Sequence, residues 1–298
     1  MSSPESDSAP CLAHLPAELM LKILASLSGD RQTLFKLLFL HPNYQVVVEQ
    51  LLYQSMTCGP GACAQKGFLA SVTNNPRLAS YVIRFGIIQS SNGPTKSLEW
   101  NVILAALQNM VNLTCFVLSL PNPHGRIVYP ASSILSILKN RRLEVFKWNV
   151  SFPTLEILSF LTTQPELHEL LVDMAPCHTP ALRSQENQAQ SVSVNLPKLR
   201  RFTGNCTAIH AVMPHCPDVT SLGWRTNVRD GWHWSENTES QTSFANITSL
   251  SIEDVFKPIR DTLLKIVQVR CPALQCLQIT FLPSYVEVWI STGLQLCE

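Results

Sequence analysis

The sequence predicts an α/β chain in which a short all-helical module precedes a solenoid built on one parallel sheet. Three observations carry that expectation: a recurring apolar phrase, a helical run before most copies of it, and a strong helical period near the amino end. The phrase is seen in Pro272-Ala-Leu274-Gln-Cys-Leu277-Gln-Ile279, with apolar residues at offsets 0, +3 and +5 from Leu274. It is repeated by Ile247/Leu250/Ile252, Val219/Leu222/Trp224, Leu199/Phe202/Gly204 and Leu167/Leu170/Val172. Leu143/Phe146/Trp148, Leu113/Phe116/Leu118 and Leu78/Tyr81/Ile83 complete the set. From Leu78 to Leu274 the mean spacing is about 28 residues, the length of one strand–helix unit in a repeat array. Such a unit cannot bury its apolar face alone, so stacking of neighbours makes the core.

The phrase resembles the L-x-x-L-x-L core of leucine-rich repeats. That resemblance implies that each copy is a short parallel strand followed by a helical return. Leucine-rich repeats also place Asn or Cys at offset +8, where the side chain bonds backbone groups in the turn. Here only Asn227, counted from Val219, does so. The expected solenoid is therefore irregular, and its turns must satisfy their backbone groups by other means.

Composition narrows the function. Hydrophobic residues make up 46% of the chain and charged residues 14%, against a usual charged share of about 25%. A formal net charge of +1 gives no field to attract nucleic acid or an anionic membrane. The polar start, Met1 to Pro10, lacks the order of a secretory signal. The ten cysteines then read as reduced thiols of a cytoplasmic or nuclear protein, with glycosylation at Asn112, Asn205 and Asn246 irrelevant. The weakly charged run Asn101–Leu120 carries too many amides for a membrane span and divides into a helix and a strand.

Residues 1–12 read as a disordered tail. Next comes Leu15-Pro-Ala-Glu-Leu19-Met-Leu-Lys-Ile23-Leu-Ala-Ser-Leu27, in which Leu19, Ile23 and Leu27 define one helical face, widened by Met20 and Leu24. Pro16 suits the first helical position, and Glu18 complements the positive end of the helix dipole. Two further helices, Arg31–Leu40 and about Tyr44–Tyr53, complete a module over 13–56. It is too small to bury all of Leu34, Phe35, Leu37, Leu38, Phe39 and Leu40, so part of that surface must dock elsewhere. This segment resembles the F-box, whose opening reads L-P-x-E-[IL]-x-x-x-I-[LF]-x-x-L. Leu15, Pro16, Glu18, Leu19, Ile23, Leu24 and Leu27 fill those positions, whereas Leu38–Val48 departs from the later part of the motif. An F-box before leucine-rich-like repeats is similar to fungal F-box proteins. The resemblance implies a substrate-recognition subunit of an SCF-type (Skp–cullin–F-box) ubiquitin ligase, binding a Skp-type adaptor through Leu15, Pro16, Leu19 and Ile23. The alternative is a protein-binding scaffold whose amino-terminal helices only cap the solenoid.

Residues 57–65 read as a linker and 66–298 as the solenoid, with Leu282–Glu298 short for a capping element. Target contacts are expected at Lys147, Glu169 and Arg201, a +/−/+ row at offsets +2 and +4 where side chains leave the core face. Ser80, Cys115, Ser221, Gly223, Ser249 and Ser251 should line the same face. Two long insertions break the rhythm, 175–195 and 225–245; the second holds Trp232 and Trp234, the residue type of binding hot spots. No metal or other cofactor is expected. Cys58 and Cys63 lack a second pair for zinc, and Cys206, His210, His215 and Cys216 read as buried thiols and surface imidazoles. The sequence contains no nucleophile elbow, phosphate-binding glycine loop, H-E-x-x-H or dinucleotide fingerprint. The expected role is binding, not catalysis.

Overall fold

The computed structural model describes residues 16–27, 29–39, 42–59, 63–88, 99–120, 129–152, 154–174, 194–225, 244–256, 264, 267–282, 286–291 and 295–296. Leu15, Trp232, Trp234 and most of both insertions lie outside the described residues.

Helix α1 (Ala17–Ser26) begins one residue later than the sequence predicts. Pro16 is its cap, and the Pro16 carbonyl accepts the first helical bond from Met20 N at 3.0 Å. The core stripe is also rotated. Met20 and Leu24 are buried with Leu34 and Val48, while Leu19 and Ile23 remain 47% and 48% exposed. Helix α2 (Arg31–Leu37) is capped by Asp30, whose carboxylate accepts from Thr33 N and from the Thr33 hydroxyl. These bonds hold the Asp30 carboxyl below its ordinary range. Helix α3 (Pro42–Gln54) passes directly into strand β1 (Ser55–Cys58) with no residue between. Arg31 fastens that joint, donating to the carbonyls of Leu52 and Ser55 and to the Met56 thioether. Strand β1 thus takes Thr57 and Cys58 from the stretch read as a linker.

Beyond β1 the chain alternates helix and strand: α4 (Cys63–Asn74), α5 (Pro76–Ser80), β2 (Arg84–Ile88), α6 (Trp100–Asn109), β3 (Cys115–Ser119) and α7 (Ala131–Leu138). There follow β4 (Val145–Phe152), α8 (Thr154–Leu161), β5 (Glu169–Met174), β6 (Arg201–Asn205), α9 (Cys206–Val212), β7 (Ser221–Arg225), β8 (Ser249–Phe256) and β9 (Cys276–Leu282). Strand order in the sheet is chain order, and β1 to β9 are all parallel. Strand β10 (Val286–Ser291) then folds back antiparallel on β9, and β11 (Gln295–Leu296) antiparallel on β10. The sheet stays open.

Register follows the apolar phrase. Phe85, Phe116, Phe146, Leu170, Phe202, Leu222, Leu250 and Leu277 sit opposite one another on successive strands. Ile87, Leu118, Trp148, Val172, Gly204, Trp224, Ile252 and Ile279 do the same two residues on. All sixteen positions except the glycine carry buried hydrophobic side chains, and these join the inner residues of the helices in one core. Seven of the eight expected copies are thus in place. The Leu78/Tyr81/Ile83 copy is not, because Asn75 caps a helix at that point, accepting from Arg77 N and Leu78 N ahead of Pro76. The working residues are Val82, Phe85 and Ile87, and Ser80 ends α5 instead of lining the sheet.

A backbone spine fixes the register at the foot of each strand. One carbonyl accepts two consecutive N–H groups from the next strand, through Ile83, Thr114, Glu144, His168, Arg200, Thr220 and Thr248 in turn. The turns are served by side chains of the following unit. Asn109 Nδ2 donates to Thr73 O, Asn112 Nδ2 to Ser80 O, Arg141 Nη2 to Gln108 O and Asn246 Nδ2 to Pro217 O. Gln164 is fully buried; its Nε2 donates to Leu138 O and its Oε1 accepts from Leu143 N. These bonds close the turns that lead from helix to strand; the missing +8 residues belong to the opposite turns, after the strands.

Strand β6 runs straight into α9, which presses the helix onto its own strand. A methyl group on Gly204 would lie 2.7 Å from Val172 O and 2.9 Å from Ala208 Cβ. One on Gly223 would lie 2.5 Å from Thr203 Oγ1, 2.8 Å from its Cγ2 and 3.0 Å from its Cβ, and rotation of that β-branched side chain does not move its Cβ. Gly204→Ala and Gly223→Ala are therefore each expected to lower stability by about 1–3 kcal/mol as overpacking changes, in urea titrations. Trp148→Ala, which empties the middle of the aromatic cluster with Phe116 and Phe146, should cost about 3–5 kcal/mol.

Candidate interaction surfaces

Two surfaces stand out, one on the helical module and one on the face of the sheet turned away from the helices. On the module, the half-exposed Leu19 and Ile23 lie one turn apart on α1, beside the buried stripe of Met20 and Leu24. Pro16 is exposed at the head of the same helix. Phe35 and Phe39 are 56% and 75% exposed and meet edge to face at 5.3 Å, and Val46 is 54% exposed. These side chains give the described part of the module an apolar exposed surface.

On the open sheet face, the residues at offsets +2 and +4 are half-buried or exposed, as period-two alternation requires, except the buried Gly86 on β2. Cys115, Ser221, Gly223, Ser249 and Ser251 lie there. Lys147 and Glu169 also lie there and form an ion pair of 2.6 Å, with side chains 34% and 29% exposed. Arg201 is aligned with Glu169 on the neighbouring strand, but Glu169 takes its ion pair from Lys147. The expected row is thus a pair plus an exposed arginine.

The outward positions named from the sequence were +2 and +4; at the next one, +6, a polar row crosses the sheet. Asn149 Nδ2 donates to Ser119 Oγ at 3.3 Å. Arg225 Nη1 donates to Asn149 Oδ1 at 2.7 Å and to Asp173 Oδ2 at 3.1 Å, and Arg225 Nε lies 3.3 Å from Glu253 Oε2. The guanidinium reaches over β6 because Asn205, at that position of β6, has turned inward. Its Oδ1 accepts from Met174 N and Ala208 N while its Nδ2 donates to Met174 O. A capping requirement of α9 thus clears the path of Arg225.

Among the described residues no group of three His, Cys, Asp or Glu gathers as a metal site. Cys216 is buried and its thiol is pushed up to about 12 by desolvation, which disfavours the thiolate a metal would need. Burial also lowers the His210 imidazole below its ordinary 6.5. No helix among the described residues is long and apolar enough to cross a membrane.

Arg225→Met should cost about 1.5–3 kcal/mol, since it removes charge-assisted bonds from a partly buried carboxylate and an amide. Lys147→Met should cost under about 1 kcal/mol, as expected for a solvent-screened pair. Urea unfolding compares them. For His210, the folded state binds its proton less readily than the unfolded chain. Its contribution is complete above about pH 6.5 and is lost as pH falls through the lowered folded value. His210→Gln should flatten the fall in thermal midpoint between about pH 7 and about pH 5.

Compared with known protein families and with curated proteins, the chain matches no family model and no curated protein.

Proposed function

We propose that this protein is the substrate-recognition subunit of an SCF-type ubiquitin ligase. Its amino-terminal helices hold a Skp-type adaptor, and a leucine-rich-repeat-like solenoid holds the target. It acts in the cytoplasm or nucleus and performs no bond chemistry; it raises the effective concentration of the target beside a ubiquitin-loaded partner. The observation that carries this reading is the exposure of Leu19 and Ile23. Both fill apolar positions of the F-box phrase, yet the module's own core uses Met20 and Leu24 instead. Two apolar side chains are thereby left for a partner.

A second reading, a scaffold whose helices only cap the sheet, is favoured by the unbroken passage from α3 to β1 and by the Arg31 bonds across it. A pull-down with a purified Skp-type adaptor separates the two. Burying one such side chain contributes about 1.5–3 kcal/mol. Leu15→Ala with Pro16→Ala, and independently Leu19→Ala with Ile23→Ala, should therefore weaken adaptor binding by roughly ten- to a thousandfold. The thermal midpoint should move by only a few degrees. Adaptor ignored by the wild type selects the scaffold; adaptor held equally by all three proteins keeps the function and refutes these residues.

A further inference from the structure

We draw no further inference here: the strongest candidate, the exposed apolar side chains of Phe35, Phe39 and Val46 on the amino-terminal helical module, is an unpartnered apolar surface, and nothing in the structure shows what covers it.

Discussion

The fold depends on the forked hydrogen bond at the foot of each strand. A single carbonyl, in turn of Ile83, Thr114, Glu144, His168, Arg200, Thr220 and Thr248, takes two amide N–H groups from the next strand. With that bond made, a strand has no freedom to slip, because a one-residue shift would send every side chain to the wrong face. The large residues at +3 and +5 then meet their counterparts, giving aromatic contacts such as Phe116 with Phe146 at 6.2 Å. The outward positions are aligned by the same bond. The core and the polar row are two faces of one register.

The array tolerates irregular turns because turn chemistry is moved onto neighbouring units. Each of Asn109, Asn112, Arg141, Gln164 and Asn246 reaches back to a carbonyl at the end of the preceding unit's helix or turn. The groups left open at a helix end are thus closed by contacts that exist only when two units are stacked. Stacking and turn formation become one event, in keeping with units that gain stability from their neighbours.

Much of this was legible in the sequence, and the failures have physical causes. Seven copies were read correctly because offsets +3 and +5 demand bulk everywhere but at Gly204, and bulky residues are visible as letters. The copy at Leu78 fitted the letters equally well. Asn75-Pro76 outweighed it, since a capping amide and a proline favour the start of a helix over the middle of a strand. Strand β1 was hidden because α3 runs into it without a turn residue. On α1 the periodicity gave the apolar arc but not its centre, so the assignment of Leu19 and Ile23 to core or surface had to come from packing. The Lys147–Glu169 pair was foreseeable from strand alternation. The Arg225 row was not: it joins residues from five strands, and its path opens only because Asn205 turns inward.

The joint between α3 and β1 gives the molecule a mechanical property. With no residue between helix and strand, and one guanidinium tying α2 to both, the helices act as a fixed bracket on the first rung of the sheet. A body held on the bracket has its bearing toward the open face set by the angle of that joint, not by the diffusion of a tether. Reach is then a property of geometry, and counting strands from β1 measures distance along the array.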